Sequence, residues 1–169
     1  FDVLRTLYGL PGLLSRGEVS LADRTVTVNG EAASNAAYDR LKSFAPTLPD
    51  SYSLEVVNVS RPLASPFVWS VDRDDSGVTV SGVVPDPETR ASLLDVVRQA
   101  VGPRNVFDNL DYASGAPDGF ADVAEGAADY IDLLASAHIS LNDRLLIVSG
   151  RAASPEAYRT LNAYLETWN

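Results

Sequence analysis

The sequence predicts an α+β fold made of three tandem copies of one small supersecondary unit. Three observations predict it. The block Ser20 to Tyr38 matches Ser140 to Tyr158 without a gap, 120 residues further on, and Leu41 then falls on Leu161. A weaker third copy, Val78 to Arg90, lies between them. Each copy passes from alternating β-branched residues through a Gly and a cap residue into a helical stripe. The hydrophobic period therefore changes from two to 3.6 at the same point of every copy. Repetition of this kind decides architecture before any single residue does.

In the first copy, Asp2 to Leu10 reads as a leading helix broken by Pro11-Gly12. Val19 and Leu21 alternate with polar neighbours, as in a half-buried strand. Asp23-Arg24 is a tight turn, and Thr25-Val26-Thr27-Val28 is a second strand, β-branched throughout. Gly30 ends it at a bulge or a close backbone approach. Ser34 is placed to cap a helix whose inward positions are Ala37, Leu41 and Phe44. Pro46 and Pro49 stop that helix, and Tyr52 to Val59 forms the third strand.

The middle copy repeats this plan. Its strands are Val68 to Val71 and Val78 to Val84. Asp86 caps a helix with Pro87 at its first position, Thr89 to Val101 as its body and Gly102-Pro103 as its stop. Val106 to Tyr112 is the third strand. The last copy opens with a helix, Phe120 to Leu134, capped by Asp118. His138 to Leu141 and Leu145 to Val148 are its strands, and a helix runs from Pro155 with Leu161, Leu165 and Trp168 inward. The unit is therefore helix–strand–strand–helix–strand. The middle copy lacks the leading helix, which explains why Gly30 to Gly82 is 52 residues and Gly82 to Gly150 is 68. The last copy lacks the third strand, which leaves an open sheet edge and points to a fragment cut short. The expected units are 1–61, 62–117 and 118–169, each a small mixed sheet with helices on one face. Their linkers, Arg61 to Pro66 and Ser114 to Asp118, are short, so the units are expected to pack on one another.

Composition narrows the function classes. A hydrophobic fraction of 46% and a charged fraction of 21% supply a packed core. No stretch approaches the roughly 18 apolar residues of a membrane span. Phe1-Asp2-Val3-Leu4-Arg5 does not resemble a secretory signal, and the lack of any Met reads as a processed or excised fragment. The absence of Cys removes disulfides, thiolate nucleophiles and cysteine metal sites. The net charge of -10 is spread as -1, -4 and -5 over the three units. Such a chain repels phosphate backbones, which argues against nucleic-acid partners and against purely electrostatic attachment to anionic lipid. Any membrane contact needs a local apolar or basic patch.

No catalytic, cofactor-binding or metal-binding residue is expected. His138, the only histidine, aligns with Glu18 at a strand start and reads as a surface residue. Asp72-Arg73-Asp74-Asp75-Ser76-Gly77 resembles the start of a calcium loop, but Val83 stands where the closing Glu should be, so it reads as a hairpin turn. Asp118, Asp122, Glu125, Asp129 and Asp132 form an acidic helix face, either solvated or a docking surface for a basic partner. Trp168 continues an apolar stripe and is expected to pack, whereas Trp69 is left open between core and surface. Leu145 and Ile147 replace Thr25 and Thr27 of the first copy, so they mark a candidate apolar patch. Neither a phosphate-binding Gly loop nor a G-x-S-x-G elbow is present.

The strand ending in Gly ahead of a capped helix resembles the BON-type repeat, a small bacterial envelope module. The residues that carry the resemblance are Val26-Thr27-Val28-Asn29-Gly30, Val78-Thr79-Val80-Ser81-Gly82 and Leu146-Ile147-Val148-Ser149-Gly150. Pro66-Phe67-Val68-Trp69-Ser70 and Ser114-Gly115-Ala116-Pro117-Asp118-Gly119-Phe120 are also similar to the region preceding the peptidoglycan-binding module of OmpA-family proteins. The peptidoglycan-binding motif itself does not occur after Gly150. The resemblance implies a non-enzymatic module in the periplasm or at the outer membrane of a Gram-negative bacterium. It would act as a spacer or interaction platform toward an envelope component, protein or phospholipid surface, with no cofactor. The alternative is direct phospholipid binding through an exposed apolar patch.

Overall fold

A computed structural model describes residues 8–43 and 51–167. Over these residues the chain forms an α+β fold of four α-helices and two mixed sheets, one of three strands and one of five. It divides into two compact units, Phe1–Leu63 with Tyr112–Ser114, and Ala64–Asp111 with Gly115–Asn169.

The first unit contains β1 (Leu14–Ala22), β2 (Thr25–Ala32), α1 (Asn35–Lys42) and β3 (Ser53–Ser60). β1 and β2 are antiparallel across a turn in which Asp23 takes φ 52°. β3 returns parallel to β2, a pairing that requires a crossover, and α1 lies in it. Val26, Val28, Ala32, Ala37 and Leu41 are buried together with Leu10, as the change of period requires. The expected leading helix lies largely outside the described residues, as do Phe44, Pro46 and Pro49. The first strand is longer than its alternation indicates. Leu14 to Glu18 is mostly polar because this strand is an exposed edge, and Leu21 is exposed rather than half-buried. Arg61 closes the unit. Its guanidinium lies 4.3 Å from the Tyr38 ring and 4.6 Å from the Tyr112 ring, and its Nη1 donates to Asn35 Oδ1 at 2.9 Å.

The second unit contains β4 (Val68–Arg73), β5 (Val78–Val84), α2 (Pro87–Val101) and all but the last residue of β6 (Val106–Tyr112). α3 (Phe120–Asp129), β7 (Leu134–Asn142), β8 (Leu145–Ala152) and α4 (Pro155–Glu166) follow. The strand order is β6-β5-β4-β7-β8, with β4 antiparallel to both β5 and β7. Trp69 and Val71 share one sheet face with Val80, Ile139 and Leu141, and all are buried. The helices contribute Leu93, Val97, Phe120 and Ala124 to the core. Phe67 and Phe120 meet edge to face at 4.9 Å.

Three expectations change here. The expected units 62–117 and 118–169 do not carry separate small sheets, because β4 and β7 pair and make one sheet of five. Each strand alone would expose unpaired N–H and C=O groups, and pairing removes both edges. The helix expected over Phe120 to Leu134 ends at Asp129, continues as a 3-10 turn from Tyr130 to Leu133, and gives way to β7 four residues before His138. Asp118 does not cap it. The N-cap is Gly119 at φ 77°, with no side-chain cap bond.

The same local geometry occurs at three places. Ser34, Asp86 and Ser154 are extended N-caps whose side chains accept from the N–H three residues on, at 3.0, 2.8 and 3.0 Å. Removing any of these caps by substitution with Ala should cost about 1 kcal/mol in urea unfolding. Asp86 should cost the most of the three, because its charge also faces the helix dipole.

Candidate functional site

The exposed side of β8 is the candidate site. β8 is the last strand of its sheet among the described residues. Alternation sends Leu146 and Val148 toward α4 and Leu145 and Ile147 to the opposite face, where they are 61% and 45% exposed. Their cross-strand neighbours on β7 are Asn142 and Ser140, so the apolar strip is narrow and has a polar border. On the other face a depression of about 380 Å³ lies between β8 and α4. Val148, Ala152, Tyr158, Leu161 and Leu165 contribute apolar walls. In the first unit the corresponding Val28, Ala32 and Leu41 are fully buried, with β3 beside β2. No strand occupies the corresponding place beside β8 among the described residues.

The remaining residues singled out by sequence lie elsewhere. His138 sits at the surface of β7, directly opposite Asp72 on β4, and its Nδ1 is 2.6 Å from Asp72 Oδ1. This contact was not legible from sequence, because it spans β4 and β7, strands 66 residues apart along the chain. The aspartate-rich segment is the β4–β5 turn. Asp74 Oδ1 accepts from the Ser76 hydroxyl, from Ser76 N at 2.8 Å and from Gly77 N at 3.2 Å. The Ser76 bonds hold the Asp74 carboxyl below its usual range, so the carboxylate serves its own turn. Among the described residues no three His, Cys, Asp or Glu side chains are grouped to hold a metal ion.

Asp118, Asp122, Asp129 and Asp132 are exposed and Glu125 is half-buried. Asp129 and Asp132 line a second depression of about 410 Å³ with Gln99, Tyr130 and Thr160. The Tyr130 and Tyr164 rings stack nearby at 3.9 Å. Trp69 is fully buried, and Trp168 lies outside the described residues. On the first unit, Arg16 Nη2 donates to Glu31 at 2.6 Å and Ser15 Oγ at 3.0 Å, and these bonds hold the Glu31 carboxyl below its usual range. No described helix is long and apolar enough to cross a membrane.

Residues 70–113 match the family model of the BON-like domain. The match runs from β4 through β5 and α2 to the end of β6, a strand–strand–helix–strand segment. The BON-like domain is a non-catalytic type of domain. No curated protein and no solved structure matches the chain.

Proposed function

We propose that this chain is a non-enzymatic module of the bacterial envelope, acting in the periplasm as a spacer or interaction platform in a protein of OmpA-family type. In this reading it is built from three BON-type copies, 1–61, 62–117 and 118–169. The BON-like match over residues 70–113 supports the envelope assignment. The recurrence of the cap geometry at Ser34, Asp86 and Ser154 supports the extension of the unit to both sides. One observation carries the mechanical part. The β4–β7 ladder runs from Val68↔Asn142 to Arg73↔Ala137, so the joint between the second and third copies is a sheet rather than a tether. A joint of this kind holds a distance and presents a fixed surface, as a platform requires.

Exposure of Leu145 and Ile147 favours a second reading, direct binding to phospholipid. Co-sedimentation with anionic and zwitterionic liposomes across salt concentrations separates the two. The platform reading predicts no salt-resistant binding to either liposome. Salt-resistant binding that is lost on Leu145→Thr with Ile147→Thr, in a protein that still melts cooperatively, would replace it with the lipid reading.

A further inference from the structure

We propose that β1 is a dimerisation edge, and that it pairs antiparallel with β1 of a second copy of this chain about a two-fold axis at Val19. The chain itself contains the template. β7 on β8 reproduces β1 on β2 pair for pair at an offset of 120, from Leu14↔Ala32 and Leu134↔Ala152 to Ala22↔Thr25 and Asn142↔Leu145. Both ladders carry the same irregularity, after Leu14 and after Leu134. β4 is the corresponding first strand of the middle copy, since Trp69 faces Gly82 as Ala137 faces Gly150. Val71 and Ile139 are therefore equivalent residues, and they stand directly opposite each other. Two first strands thus meet by local two-fold symmetry within this chain. β1 is the one first strand whose far side has no partner among the described residues.

Burial and hydrogen bonding agree. Ala137, Ile139, Ser140 and Leu141 are buried on β7, whereas Gly17, Ser20 and Leu21 are exposed on β1 and Val19 is only partly covered. Asp143 N donates to Phe67 O at 2.9 Å, and Phe67 N donates to Asp143 Oδ1 at 2.8 Å. Antiparallel alternation then directs the N–H groups of Ala137, Ile139 and Leu141 toward β4. By the same offset, Gly17, Val19, Leu21 and Asp23 direct theirs away from β2. The two-fold register places Glu18 opposite Ser20 of the partner subunit, Leu21 opposite Gly17 of the partner subunit, and Asp23 opposite Ser15 of the partner subunit. No like charges stand directly opposite. The product is a six-stranded sheet whose centre repeats the β4–β7 joint.

Sedimentation equilibrium of the full chain over a concentration series tests this, with amide exchange read at residue resolution. The expected result is a concentration-dependent dimer in which the Gly17, Val19 and Leu21 amides become protected. Leu21→Pro removes an edge N–H that β2 does not use, and should weaken the dimer at least about tenfold while β1 stays folded. If that variant loses its fold, Leu21→Lys decides, because it keeps the backbone donor and should also weaken the dimer through edge charge. A chain that stays monomeric to about 1 mM overturns the proposal, since that marks the weak end of affinity. So does a dimer that survives both substitutions with those three amides still exchanging freely, since the contact would then lie on another edge.

Discussion

Gly82→Ala is expected to destabilise the five-stranded sheet by about 3 kcal/mol or more, a large part of the stability of a domain this size. Gly82 has φ 105°, and a Cβ there would lie 2.3 Å from Val68 O and 2.9 Å from Trp69 Cα. Both neighbours are backbone, so no side chain can swing aside. They belong to β4, the central strand, which cannot retreat without loosening its ladders to β5 and β7. Gly30 and Gly150 meet the same obstacle, with a Cβ 2.1 Å from Arg16 O and from Ser136 O. Gly102 is the control. It also has positive φ, at 63° with ψ -129°, but has nothing within 4 Å, so Gly102→Ala should meet backbone strain alone, about 1–3 kcal/mol, without the clash. Urea denaturation monitored by circular dichroism reads both, and a Gly82→Ala midpoint equal to that of the parent would contradict the close approach.

Trp69→Ala is expected to cost about 3–5 kcal/mol, the range for emptying a large aromatic site in a core. Trp69 is among the largest fully buried side chains and lies on the joined face with Val71, Ile139 and Leu141. Its Nε1 is buried without a hydrogen-bond partner. Trp69→Phe loses packing but also removes that unpaired donor, whose burial costs about 1–3 kcal/mol. The two effects oppose each other, so Trp69→Phe should lie within about 1.5 kcal/mol of the parent. Thermal unfolding of the two variants side by side checks the contrast. Equal losses would mean that the indole N–H is satisfied in solution.

Much of the local structure was legible because it depends on neighbours in sequence. Ser34, Asp86 and Ser154 announce helix starts within a few residues of the groups they bond. Gly30, Gly82 and Gly150 mark a close approach that only Gly tolerates. The pairing of β4 with β7 was not legible. A strand edge offers the same N–H and C=O groups whatever its side chains, so nothing in Val68 to Arg73 or Leu134 to Asn142 names the other as partner. The His138–Asp72 pair and the burial of Trp69 follow from that pairing and were hidden with it. Asp118 failed as a cap for a local reason. Pro117 O accepts from Phe120 N, and Gly119 in the left-handed region takes the cap position. On the candidate site, the Leu145 and Ile147 substitutions were visible in the repeat, and their exposure agrees with that reading. The groove beneath them was not visible, since it depends on α4 lying over β8 with no strand alongside among the described residues.

The platform reading rests most on residues 62–117 and 118–169 acting as one body through β4 and β7. Native-state hydrogen exchange across a denaturant series tests this directly. One body predicts that the core amides of β4, β5, β7 and β8 converge on a single opening, with one free energy and one denaturant slope. Opening of β7, β8 and α4 at lower free energy, with β4 and β5 still protected, would show two independent copies and contradict it.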